Sequence, residues 1–152
     1  MKDKAERGLC AVTLRQLKSA RQKALAKRII AAGETVWQLL GAGHSEAIYQ
    51  KAMEIETRDL DTLPLQICPV LYRGQTIGHH VPDLLCGGGG GGAAQAVVEL
   101  KVAQSIAKAH LAQLGAYMRL LDLELGVLLN FPSSLEDKFS YELLQYKHVL
   151  TV

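Results

Sequence analysis

Between Leu9 and Ala32 the chain mixes Leu, Ala, Lys and Arg and contains no proline, which predicts a helix over 9–32. Its apolar stripe is weak, so this helix is expected to lie on a surface rather than in a core. Residues 34–40 continue or restart it, and Gly41-Ala42-Gly43 breaks it. Ser45 stands where an N-cap belongs and opens a second helix running to about Leu60. On it Ile48, Ala52 and Ile55 share one face, and Glu46, Tyr49 and Met53 share the neighbouring one. Pro64 closes the helical stretch. Gln66 to Tyr72 reads as a strand, Arg73-Gly74-Gln75 as a turn, and Thr76 to Cys86 as the hairpin partner. The six glycines from Gly87 to Gly92 predict an expanded, flexible loop. A phosphate cradle would need a helix N-terminus after them, and a strand follows instead. That strand is Gln95 to Lys101. Residues 104–121 give the clearest helix, with Ala107, Leu111, Leu114, Met118 and Leu121 as its core stripe. Leu125 to Phe131 is a nearly continuous apolar run, the pattern of a strand buried on both faces. Pro132-Ser133-Ser134 turns the chain, and Phe139 to Val152 forms one more strand or an extended tail. Helix, three strands, helix, strand is the order of an α/β sandwich around one mixed sheet.

Composition adds limits to this pattern. A chain of 152 residues that is 49% hydrophobic can bury one core and is too short for two ordinary domains. No apolar run is long enough for a membrane-spanning helix, and Met1-Lys2-Asp3-Lys4 leads into no secretory signal. The three cysteines, Cys10, Cys68 and Cys86, form no CxxC pair. They fit a reducing, intracellular setting, cytoplasmic, nuclear or within an organelle, better than a disulfide framework or a zinc site. Charge is uneven. Residues 1–30 carry nine Lys and Arg against two acids, while the rest carries eight against thirteen. The chain therefore divides into a basic helical N-terminal arm, 1–28, and a mildly acidic domain, 29–152. Such an arm suits a polyanionic partner, whether nucleic acid, an acidic protein surface or a membrane surface, or is a solvated basic helix. Asp3, Glu6 and the preference for lysine argue against a mitochondrial presequence.

The candidate chemistry is a split acidic motif: Val81-Pro82-Asp83, then, after the glycine loop, Val98-Glu99-Leu100-Lys101. Strand alternation puts Glu99 and Lys101 on one face and sends Leu100 into the core. Asp83, ending the neighbouring strand, can meet them across the sheet. Two carboxylates can hold Mg²⁺, which prefers carboxylate and water oxygens, and a lysine can orient a water or offset the charge of an attacked phosphate. The trio suits metal-assisted phosphodiester hydrolysis; equally, such residues are often plain surface charges. Glu46, early in the first core helix, is followed one turn later by Tyr49. His110, Gln113 and Tyr117 line one face of the last helix beside its core stripe. His79 and His80 precede the Asp83 corner on opposite faces of their strand, and His44 is a loop residue near the helix cap.

Gly43-x-x-Glu46-x-x-Tyr49 resembles the signature of the GxxExxY proteins, a branch of the PD-(D/E)XK nuclease superfamily. The resemblance runs on through Tyr72-Arg73-Gly74, Pro82-Asp83-Leu84-Leu85, Val98-Glu99-Leu100-Lys101, His110-x-x-Gln113 with Tyr117, and Gly126 to Phe131. It covers roughly Ile29 to Phe131. It implies an α-β-β-β-α-β core with a central mixed sheet flanked by helices, and a site for Mg²⁺ or Mn²⁺. By position, Glu46, Asp83 and Glu99 would be the acidic metal-side residues, Lys101 the catalytic lysine and Gln113 a supporting polar residue. Trp37 stands where these proteins often have histidine, and Ala42 where they often have proline. The glycine loop and the basic arm lie outside the pattern.

Three functional readings follow. The first is a divalent-metal-dependent nuclease-like protein acting on nucleic acid. The second is a catalytically idle nuclease fold that serves as a subunit of a larger assembly, docked by its basic arm. The third is nucleic-acid binding without cleavage, which the acidic body and an aromatic content of 5% disfavour.

Overall fold

The computed structural model describes residues 8–146. Strand β1 (Leu9–Val12) and a 3-10 turn at Leu14–Gln16 lead into helix α1 (Ala20–Leu40). Helix α2 (Glu46–Glu56) and a 3-10 turn at Arg58–Leu60 follow. Then come β2 (Leu63–Pro64), β3 (Cys68–Tyr72), β4 (Gln75–His80), β5 (Leu84–Cys86) and β6 (Ala96–Lys101). Helix α3 (Lys108–Leu121), β7 (Leu125–Asn130) and β8 (Ser140–Tyr146) complete the described chain. Six strands form one mixed sheet in the order β1-β8-β7-β6-β5-β2, and β3 and β4 form a separate ribbon.

The centre of the sheet is the β6–β7 pair, which is parallel, with Val98 opposite Val127. A parallel pair needs a crossover, and α3 supplies it. Both faces of the sheet are covered. Val98, Leu100, Val127 and Leu129 pack toward α1 and α2 with Ile29, Tyr49 and Met53. Val97 and Leu128 pack toward α3 with Leu114, Tyr117 and Met118. The near-continuous apolar runs of β6 and β7 follow from this double burial. Helix α3 lies so close to β7 that a Cβ on Gly126 would stand 2.5 Å from Met118 Sδ.

Several expectations need correction. The helix expected over 9–32 begins only at Ala20, where the Ser19 hydroxyl caps it by accepting the Gln22 N–H at 3.1 Å. Before it, Leu9–Val12 is an edge strand paired antiparallel with β8. Leu17, Leu25 and Ala26 are buried in the main core, so from Leu9 onward the arm is neither wholly helical nor laid outside the core. A partner strand with an open edge outweighed the local helix propensity. Met1 to Arg7, and the part of the C-terminal strand expected over 147–152, lie outside the described residues.

The hairpin expected from Gln66 to Cys86 also divides. β3 and β4 pair across a tight turn in which Arg73 and Gly74 both take positive φ, the twist that suits a two-residue hairpin. At Val81-Pro82-Asp83 the chain leaves the ribbon, and β5 enters the central sheet beside β6. Pro82 has no N–H to continue a ladder, so the strand breaks there. On α2 the buried face is Tyr49, Gln50 and Met53, while Ile48 and Ile55 are exposed. Ser45 holds the N-cap position, but its hydroxyl makes no cap bond. The glycine loop is pinned rather than free. Gly87 N–H donates to the Leu60 carbonyl at 2.7 Å and Gly91 N–H to Asp61 Oδ2 at 2.9 Å.

Candidate active site

The antiparallel register Leu84↔Val98 brings Asp83 beside Glu99. The two are locked reciprocally: Asp83 N–H donates to Glu99 Oε1 at 2.9 Å, and Leu100 N–H donates to Asp83 Oδ2 at 2.8 Å. Glu99 is only 3% exposed. Burial, with the Asp83 charge next, pushes its carboxyl up to about 8. Burial also raises Asp83, and backbone donation from Leu100 and the nearby charge of Lys101 only partly offset the shift. Lys101, half-buried two residues along β6, favours the ionised form of both carboxyls.

Glu46 opens α2 and is exposed, yet its charge raises both Asp83 and Glu99, which puts it within electrostatic reach of the pair. From the α3 side, Tyr117 feels the charges of Glu99 and Asp83, and Gln113 stands one turn before it on the helix. Burial and the Glu99 charge push the Tyr117 phenol up to about 12. Thus Asp83, Glu99 and Lys101 converge, with Glu46 on one side and Gln113 and Tyr117 on the other.

Two expected site residues are occupied elsewhere. Tyr49 is fully buried: its hydroxyl donates to the Gly41 carbonyl at 2.5 Å, and its ring stacks on Phe131 at 4.4 Å. It fastens the glycine turn before α2 to the core, and so positions Glu46 indirectly. His110 Nδ1 accepts the Ala107 N–H at 3.0 Å and caps α3. Two more residues bear on the site: sequence reasoning took His79 and His80 as structural, with one of them near it, and gave Asn130 no role. His80 is half-buried with its ring edge-on to Tyr117 at 5.0 Å, whereas His79 is exposed; strand alternation separated them without saying which faced inward. Asn130 is buried and clasps Ala103 with both amide atoms, Nδ2 donating to the carbonyl at 3.0 Å and Oδ1 accepting the N–H at 3.1 Å. A polar residue ending an otherwise apolar strand was the available signal.

The donor set suits a hard divalent cation. Two carboxylates held side by side, one of them buried, offer only oxygen, and the second negative charge is offset by a single lysine. Among the described residues no three His, Cys, Asp or Glu side chains close around one point, so a cation here would complete its shell with water or substrate oxygen. No described helix is long and apolar enough to cross a membrane.

No curated protein matches the chain significantly. In fold it is similar to the crystal structure of SSO0001, with a TM-score of 0.50 at 15% identity over 87% of this chain and 71% of that one. A family model of the PD-(D/E)XK nuclease superfamily matches residues 23–141, a span that holds every residue of the carboxylate centre. By that match the chain belongs to the PD-(D/E)XK nuclease superfamily.

Proposed function

We propose that the chain is a divalent-metal-dependent nuclease-like protein of the GxxExxY type, hydrolysing phosphodiester bonds in nucleic acid. The observation that carries this reading is the Asp83–Glu99 pair, two carboxyl groups each held by a backbone N–H of the other's strand where β5 meets β6, with Lys101 two residues further along β6. A purely structural pair would gain nothing from that arrangement, because each carboxylate makes ionising the other harder.

Asp83 and Glu99 would hold Mg²⁺ or Mn²⁺, with Glu46 on α2 as a further acidic group on the metal side, its charge felt by both. The bound cation would polarise the phosphate and acidify a water. The backbone N–H groups of Asp83 and Leu100 fix the two carboxylates in place. The Lys101 ammonium orients the attacking water or offsets charge growing on the phosphate oxygens. Gln113, one turn before Tyr117 on α3, would offer a neutral polar contact to the phosphate or to a water.

Calorimetric titration with Mg²⁺ and Mn²⁺ tests the reading, with wild type beside the Asp83→Ala/Glu99→Ala double variant. Binding confined to wild type, with nucleic-acid cleavage lost in Lys101→Ala, supports it. Wild-type protein that binds neither cation, even with oligonucleotide present, refutes it.

A further inference from the structure

The acidic centre repels a polyanion, so the substrate must be gripped by something beside it. From Thr62 to Pro82 the chain contains no Asp or Glu, although acids outnumber bases beyond residue 30. That segment builds the β3–β4 ribbon, whose tip stands in solvent: Leu71, Tyr72 and Ile77 are 61%, 60% and 66% exposed. The Arg73 guanidinium lies over the Tyr72 ring, 5.6 Å from its centre. The ribbon is tied to the site at its base. β4 runs through Val81-Pro82 directly into Asp83, and His80 rests edge-on against Tyr117.

We propose that this ribbon is the substrate arm of the site and that it takes nucleic acid with unpaired bases. The inference rests on the nuclease reading and adds the substrate class. A grip on duplex backbone draws its affinity from many Lys and Arg contacts to phosphate, and the ribbon has one arginine. Instead it offers an aromatic ring and large aliphatic side chains. These meet base faces only where the bases are unstacked. Arg73 and the exposed His79 supply the phosphate contacts, and the absence of carboxylates keeps the arm from repelling the strand.

The test compares full-length wild type with Tyr72→Ala and Arg73→Ala, both changes at solvent-exposed positions. Fluorescence anisotropy with a labelled single-stranded oligonucleotide and a blunt duplex, in EDTA, reads the arm. Hydrolysis of bis(p-nitrophenyl) phosphate, too small to reach the ribbon, reads the site. The expected result is tighter binding of the single strand, at least about fivefold weaker in Tyr72→Ala, with the small-diester rate unchanged. Unchanged affinity in both variants, or a duplex bound as tightly as the single strand, overturns the proposal. So does a wild-type dimer that Tyr72→Ala dissolves, which would make a second copy the occupant. If wild type cleaves no diester, the nuclease reading falls, and the anisotropy comparison still decides the arm.

Discussion

Stability without metal should fall as pH rises, and Glu99 should cause much of the fall. Its carboxyl moves from an ordinary value of 4.5 to about 8 on folding. Between those values the folded state holds a proton that the unfolded chain has released. Stability therefore decreases with pH across that window and levels off above it. Linkage from pH 5.5 to 8.5 gives a loss of about 3 kcal/mol if Glu99 carries the whole effect. For a domain of this size that is a fall in Tm of roughly 6–12 °C. Glu99→Gln keeps an oxygen able to accept the Asp83 N–H and removes the charge, so its melting temperature should hardly change over the same range. The assay is thermal unfolding in EDTA for both proteins at several pH values, read as the difference between the two curves, which cancels the titrating groups that do not interact with Glu99. Parallel curves would refute the reasoning, because they would mean that Glu99 is hydrated and ionises normally in the fold.

Other consequences are equally direct. Tyr49→Phe removes the bond to the Gly41 carbonyl and should cost about 1 kcal/mol in chemical denaturation while leaving the Phe131 stacking contact. Asn130→Ala leaves the Ala103 N–H and carbonyl without their partner and should cost about 1–3 kcal/mol by the same measurement. Gly126→Ala would press a methyl on Met118 and Leu114 and should destabilise by about 1–3 kcal/mol, read as a lower urea midpoint with an unchanged slope.

Where the sequence was legible, the reason was periodicity. The β6 and β7 runs are dictated by burial on fixed faces and appear within a residue of their expected spans, whereas α3 begins at Lys108, four residues later than expected, and leaves Ala107 as an exposed N-cap outside the core stripe. Leu9–Val12 was not legible, because its strand character is borrowed from β8, more than a hundred residues away, while its own composition favours helix. The split of the Gln66–Cys86 hairpin was not visible. The expected strand ran from Thr76 to Cys86 straight through Pro82, and nothing local says that the chain changes sheets there. On α2, spacing placed Ile48, Ala52 and Ile55 on one face and Glu46, Tyr49 and Met53 on its neighbour, without saying which is buried. The structure buries Tyr49, Gln50 and Met53, with Tyr49 anchored by Phe131 and Gly41.

The site shows the same division at finer scale. Spacing could name Asp83, Glu99 and Lys101, since alternation and adjacency are one-dimensional facts. It could not show that each backbone N–H holds the other strand's carboxylate, Asp83 N–H on Glu99 and Leu100 N–H on Asp83. That exchange fixes the two carboxyl groups side by side, because moving either residue breaks a bond to the other's strand. It also explains why an unstable charge pair can persist in the fold: the β5–β6 ladder holds it in place, and the cost appears as stability lost above pH 5. A ligand that neutralises the pair should recover that stability, and the recovery should grow with pH because the repulsion does. Mg²⁺ added at pH 8.5 should therefore raise the melting temperature of wild type more than at pH 5.5, and should leave Glu99→Gln nearly unmoved at both. An equal shift in the two proteins would place the cation elsewhere and separate the strained carboxyl from any metal.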